Sequence, residues 1–284
     1  MRTHSREVIA GERFEFGKNW QRFLSVLNED RIALAEESLQ QMLRIPRLDG
    51  KLFLDAGSGS GLFSLAAVRL GAKVHSFDYD PQSVACTRWI KEQYAPRAEW
   101  IVEEGSVLDK DYLQQLGHFD VVYSWGVLHH TGAMWEALGN VANLVKEGGQ
   151  LFIAIYNDQG SVSRRWRLIK RLYNKSPKVL KPFILLPTII VCEARLMPGR
   201  VLRGQNPFSA WFQKTTLRGM NKWHNWIDWI GGYPFEVAKP EAIFEFYTAR
   251  GFTLTKMTTQ AGSMGCNEFV FSKHLRRLNL TEQG

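Results

Sequence analysis

Residues 52–61, Leu-Phe-Leu-Asp-Ala-Gly-Ser-Gly-Ser-Gly, constrain the fold of this chain more than any other stretch. An apolar strand runs into a carboxylate and then into three glycines at alternate positions. A helical pattern follows from Leu62 to Leu70 and stops at Gly71. Glycine permits backbone geometry that side chains block, so a ligand can lie against the chain there. The N-terminus of the following helix faces that ligand with unpaired N–H groups. Residues 74–78, Val-His-Ser-Phe-Asp, read as a second strand ending in another carboxylate, 21 positions after Gly57. That spacing suits an acidic side chain accepting hydrogen bonds from ribose hydroxyls.

The pattern is not that of a dinucleotide site. G-x-G-x-x-G would need glycine at position 62, which is Leu62, and Asp55 stands where a pyrophosphate would be repelled. A carboxylate at Asp55 suits a ligand with a cationic end, such as the ammonium and sulfonium groups of S-adenosylmethionine. On these residues the chain resembles the class I S-adenosylmethionine-dependent methyltransferases, in which an acidic residue precedes G-x-G-x-G. The broader likeness is to the small-molecule branch that includes ubiquinone-type O-methyltransferases. The resemblance implies a Rossmann-like, doubly wound α/β fold with a mostly parallel seven-stranded sheet and an antiparallel last strand. It also implies a cofactor set of Asp55, Gly57, Ser58, Gly59, Gly61, Asp78, Tyr79, Ser106, Val107 and Trp125. The loop after the third strand departs from the family pattern. Where an aspartate often follows a glycine to bind the adenine amino group, this chain has Gly105-Ser106-Val107.

Strands and helices alternate over residues 51–157, the expected cofactor-binding core. Asp80-Pro81 opens a helix, with Asp80 as its N-cap. Strands are expected at 99–102, 119–124 and 150–156, and a helix over 134–146 closed by Gly148-Gly149. Residues 1–50 are expected to form an N-terminal helical lid, with an aromatic start (Phe14, Phe16, Trp20, Phe23) and a helix over 30–43. Residues 158–240 form an insertion after the fifth strand, which leaves from the active-site edge and can roof it. Residues 241–284 supply the last helix, 240–250, and a closing strand pair, 252–259 and 268–271.

His129 and His130 follow the fourth strand and are candidates to take a proton from an attacking hydroxyl. The loop Ser124-Trp125-Gly126-Val127 lacks the prolines of a nucleobase amino-methylating loop, and no cysteine follows a proline as cytosine C5 chemistry needs. Within the insertion, Trp223, Trp226 and Trp229 share one helical face, interleaved with Asn221, His224, Asn225 and Asp228. Such a face suits a sugar or a flat phenolic ring. The acceptor wall is expected to comprise Trp20, Tyr156, Trp223, Asp228, Tyr233, Cys266 and Asn267, with His224 as a third catalytic candidate.

Charge separates the insertion from the rest. Residues 161–203 hold eleven basic residues against one acidic, a net of +10, so the remainder carries −2 of the overall +8. Basic residues beside the apolar run 182–191 suit a helix at an anionic membrane surface, and that run is too short to span. A buried hairpin with a solvated charged face is the plainer reading. The three cysteines are widely separated and no metal-ligand spacing occurs, so no metal is expected. Met1–Ala10 is polar, which predicts no secretory signal and a cytoplasmic setting, with peripheral contact at the inner membrane face as the further expectation.

The expected reaction is methyl transfer from S-adenosylmethionine to oxygen of a small sugar, phenolic or quinone-like acceptor. Three alternatives stay open: an RNA methyltransferase that docks through the basic insertion, non-methyl S-adenosylmethionine chemistry, and a non-catalytic cofactor-binding module. Nucleic acid is the less favoured partner, since Trp166 and Tyr173 are few aromatics for stacking on single strands. The residues leave the oligomeric state open.

Overall fold

A computed structural model describes residues 3–202 and 222–275. Seven strands form one sheet in the order β3-β2-β1-β4-β5-β7-β6. They are β1 (Leu52–Ala56), β2 (Lys73–Asp78), β3 (Trp100–Glu104), β4 (Phe119–Trp125), β5 (Val145–Tyr156), β6 (Phe252–Thr258) and β7 (Cys266–Lys273). Strands β1 to β5 pair in parallel, while β7 runs antiparallel to both β5 and β6. The strand order reverses beside β1, which puts the ligand crevice at the carboxyl ends of β1 and β4. This is the Rossmann-like sheet with an antiparallel last strand that the resemblance implied.

Alternation along the central strands divides the core in two. Leu54 and Ala56 of β1 face one cluster, with Val122, Leu151 and Phe269, closed by α6 (Lys110–Leu116), α7 (Met134–Asn143) and α11 (Pro240–Thr248). Phe53 faces the other, with Val74, Val121 and Phe152, closed by α3 (Glu29–Leu43), α4 (Leu62–Arg69) and α5 (Pro81–Tyr94). A strand whose two faces are both covered is apolar on both, which explains Leu52–Leu54. Helix starts follow side-chain caps: Asn28 accepts from Arg31 N–H, Asp80 from Gln82 N–H and Asp109 from Tyr112 N–H.

Several element boundaries depart from the expectations. Helix α7 ends at Asn143, and β5 begins at Val145 rather than 150. The buried Val145 pairs with Phe119, and pairing resumes at Val121 with Gln150, so residues 146–149 loop out of the ladder. Gly148-Gly149 therefore serves a bulge rather than a helix cap. A Cβ on Gly149 would stand 3.0 Å from the Asp120 carbonyl, a tight contact that glycine avoids. Strand β3 runs on to Glu104, because its register with β2 continues as far as Asp78.

The amino-terminal segment forms α1 (His4–Ile9) and α2 (Gly17–Leu24), so only part of the aromatic start is helical. The insertion forms α8 (Ser161–Lys175), α9 (Lys181–Leu202) and α10 (Lys222–Gly231). These pack a third cluster around Trp166, Tyr173, Leu185, Ile189, Ile230 and Phe235. Among the described residues, no helix is long and apolar enough to cross a membrane.

Candidate active site

The turn after β1 is held open by its glycines. Gly57, Gly59 and Gly61 have φ of +90°, +55° and +86°. The N–H groups of Gly57 and Ser58 both donate to the Phe77 carbonyl at the end of β2 (2.8 and 3.1 Å), which ties the turn to the second strand. Ser58 Oγ meets Thr87 Oγ1 at 2.8 Å. The Gly59 N–H donates to Asp78 Oδ2 (2.9 Å), and the Asp80 N–H donates to Asp78 Oδ1 (2.9 Å). Each oxygen of Asp78 keeps a further acceptor site, as two ribose hydroxyls require.

Asp55 faces the α4 side, where Ser64 Oγ donates to its Oδ2 (2.5 Å); its Oδ1 is buried with no hydrogen-bond partner among the described residues. Burial pushes the Asp55 carboxyl up to about 7 and the Asp78 carboxyl up to about 6. A buried carboxylate with an unsatisfied oxygen is costly unless a cation or donor meets it. The loop between these acids thus fits a ligand with a cationic end and a ribose, and S-adenosylmethionine supplies both. In the opening after β3, Ser106 Oγ accepts from Leu108 N–H (3.2 Å) and Val107 is buried.

The amino-terminal segment closes over this turn. A Cβ placed on Gly59 would stand 3.0 Å from the Trp20 indole, so Trp20 lies directly on the glycine loop. The Gly17 N–H donates to Asp80 Oδ2 (2.7 Å), and Gln82 reaches Glu15. Tyr79 packs against the His4 ring and beneath the Arg13 guanidinium, 4.9 Å from its ring centre. Trp125 donates its indole N–H to Glu268 Oε1 (2.7 Å), on the opposite side of the turn.

On the acceptor side, the short 3₁₀ turn Leu128–His130 brings both histidines inward. The His129 ring lies tilted against Tyr156, 3.9 Å between ring centres, and against His130 at 4.5 Å. His130 Nδ1 lies 2.6 Å from the Pro234 carbonyl. Burial pushes the His130 imidazole down to about 3. Burial, with the Lys170 charge nearby, holds His129 well below its ordinary range. Both rings are therefore neutral near pH 7.

The insertion supplies the facing wall. Asp228 of α10 accepts from Asn19 Nδ2 of α2, which joins the amino-terminal segment to α10. Tyr233 accepts from the Phe14 N–H through its carbonyl (2.8 Å). Asn267 is buried and holds the 260–267 turn: its Oδ1 accepts from Gln260 N–H, and its Nδ2 donates to Asn157 Oδ1. Cys266 pairs with Tyr156 in the β5–β7 ladder. The side chains of Trp223 and His224 lie outside the described residues. The sequence reading missed Lys170, Phe235 and Asn19. Lys170 carried a signal, because Trp166, Lys170, Tyr173 and Asn174 repeat at helical spacing on the buried face of α8. Among the described residues no cluster of His, Cys, Asp and Glu could hold a metal ion.

A glycine turn between two acidic strand ends, on a sheet whose last strand is antiparallel, defines a cofactor site of the class I methyltransferase type. The chain belongs to the methyltransferase domain family, which matches residues 27–226 and whose cofactor is S-adenosylmethionine. It is 33% identical over 110 residues to a ubiquinone biosynthesis O-methyltransferase of Xanthomonas campestris pv. campestris (strain B100), covering 39% of this chain and 45% of the relative. It is 31% identical over 148 residues to the protein so named in Caulobacter vibrioides, covering 47% and 54%. The chain thus spans about half the length of these curated relatives. The crystal structure of the N-terminal domain of EvdMO1 with SAH bound superposes with a TM-score of 0.50 at 13% identity, covering 88% of this chain and 84% of that one, a likeness of fold.

Proposed function

We propose that the protein transfers the methyl group of S-adenosylmethionine to an oxygen of a small acceptor. The observation that carries this reading is the pair of carboxylates, Asp55 buried and Asp78 half-buried, set around a glycine turn in a methyltransferase-family chain. The cofactor supplies an activated methyl on a sulfonium. The chain's part is positioning: Asp78 orients the ribose, Asp55 favours the cationic end, and Trp20 excludes water above the turn. Ser106 and Val107 stand for the adenine edge. His129, His130 and Tyr156 then offer the acceptor a wall of neutral rings, with Asp228, Tyr233 and the 265–267 turn around it. The ubiquinone O-methyltransferase relatives support a phenolic or quinol-type acceptor.

The outer face of the insertion supports a membrane-surface site for that acceptor. Phe183, Leu186, Ile190 and Val191 of α9, with Leu168 and Leu172 of α8, are exposed beside Arg164, Arg165, Arg171 and Lys175. One experiment tests both parts: S-adenosylhomocysteine release with a lipid-soluble catechol carried in vesicles. Turnover and co-sedimentation are expected with phosphatidylglycerol vesicles and not with phosphatidylcholine alone. Turnover equal in both, with the protein left in the supernatant, would make the basic face a solvated one. No release with any catechol, phenol or sugar would remove the acceptor reading.

A further inference from the structure

A chain of hydrogen bonds runs through the core behind the glycine turn, and the proposed chemistry leaves it unused. Trp100 of β3 donates its indole N–H to Ser76 Oγ of β2 (2.7 Å). Ser76 Oγ lies 2.7 Å from Ser64 Oγ of α4, and Ser64 Oγ donates to Asp55 Oδ2 of β1 (2.5 Å). All four side chains are buried, and neither hydroxyl has another partner among the described residues. The two ends fix the direction of every bond. An indole N–H can only donate, and an ionised carboxylate can only accept. Ser76 therefore accepts from Trp100 and donates to Ser64, and Ser64 donates to Asp55. Three hydrogens fill three bonds when Asp55 is ionised.

A proton on Asp55 breaks this arrangement. On Oδ2 it makes four hydrogens for three bonds, and one buried O–H is left without an acceptor. On Oδ1 it is itself that hydrogen, because Oδ1 has no hydrogen-bond partner among the described residues. A buried donor without a partner is strongly disfavoured, and hydrogen bonds in series strengthen one another. The surroundings otherwise oppose ionisation. Burial pushes the Asp55 carboxyl up to about 7, the Ser64 hydroxyl pulls it down, and the Asp78 charge of β2 adds to the push. From α4 the charged residue is Arg69, which is held by Glu29, and β4 places Tyr123 beside Asp55 in the ladder. We infer that Ser64, Ser76 and Trp100 act as one donor chain that holds Asp55 as the carboxylate the cationic end of S-adenosylmethionine needs, with Oδ2 occupied and Oδ1 left for the ligand. This rests on the methyl-transfer reading and adds to it the residues that set the charge of its site. None of the three touches the ligand, so they are positioning residues.

The test is the pH dependence of S-adenosylhomocysteine binding, read by calorimetry on the full chain between about pH 5.5 and 8.5. That ligand keeps the ammonium group. Wild-type affinity is expected to rise with pH as Asp55 ionises. Ser64→Ala should move the midpoint of that rise up by about one pH unit, a tenfold change in the ionisation, and Ser76→Ala by a few tenths. At the top of the range the affinity of each variant should return to within about threefold of wild type, because the carboxylate is then formed without help. The Ser64→Ala/Ser76→Ala double variant should follow Ser64→Ala alone, since Ser76 acts through Ser64. Should Ser76→Ala fold poorly with the Trp100 N–H unpaired, Ser76→Ala/Trp100→Phe removes both partners, and thermal melts report on each. A midpoint unmoved in Ser64→Ala, a loss by the same factor at every pH, or additive losses in the double variant overturns the inference. If the wild type binds no S-adenosylhomocysteine at any pH, the methyl-transfer reading falls and takes the inference with it. If it binds and the variants follow its pH curve, only the role of the donor chain falls.

Discussion

Asp78→Ala weakens S-adenosylmethionine binding by ten- to more than a hundred-fold. The Asp78 carboxylate accepts from the Gly59 and Asp80 N–H groups and keeps an acceptor site on each oxygen for the ribose. A hydrogen bond to a charged group contributes about 1.5–3 kcal/mol. The alanine variant loses the ribose contacts and also frees the turn to wander. Asp78→Asn keeps one acceptor oxygen and should fall between the two. Calorimetry reads the difference directly, and unchanged affinity in Asp78→Ala would remove this residue from the site.

Gly57→Ala costs roughly 2–5 kcal/mol and lowers Tm by about 5–15 °C. Two effects add at this position. Gly57 has φ +90°, which strains any L side chain, and a Cβ would stand 2.5 Å from both methyls of Val127. Val127 leads into the turn that carries His129, so the variant should also misplace the acceptor wall. Gly50→Ala is the control, since Gly50 has φ +69° with nothing within 4 Å of a Cβ. Its melt should drop by the strain alone. Equal melts for the two variants would mean that Val127 moves aside without cost.

These two sites were legible in the sequence because their logic is local. A glycine turn, its flanking carboxylates and its helix lie within 27 residues, and the chain's own covalent order fixes their geometry. The Asp80 cap was legible for the same reason. The boundary of β5 was not, because Gly148-Gly149 reads equally as a helix stop and as a bulge, and only pairing of Val145 with Phe119 decides. The acceptor wall depends on distant segments: Asn19 meets Asp228 across 209 positions, and the His130 ring packs against Phe16 and Pro234. The neutrality of the histidines follows from burial, which no spacing reveals. Lys170 shows an intermediate case, since its place on the buried face of α8 was encoded in the periodicity while its aromatic neighbours were not.

If the glycine turn and its two acids hold S-adenosylmethionine, titration of the full chain with that cofactor across pH must show it. Asp55 and Asp78 have carboxyls raised to about 7 and about 6 from an ordinary 3.8. In the ligand-free protein these raised values favour folding at low pH, and that contribution is lost as pH rises through 6 to 7. The cationic ligand reverses the preference, because it stabilises the ionised acids and displaces their protons. Binding should therefore be one-to-one, release protons, and tighten roughly tenfold or more between pH 5.5 and 7.5. NAD, whose pyrophosphate would face Asp55, should not bind at any pH. Saturable binding of NAD, or S-adenosylmethionine affinity that is absent or falls over that range, would mean that the turn and its acids do not hold that cofactor.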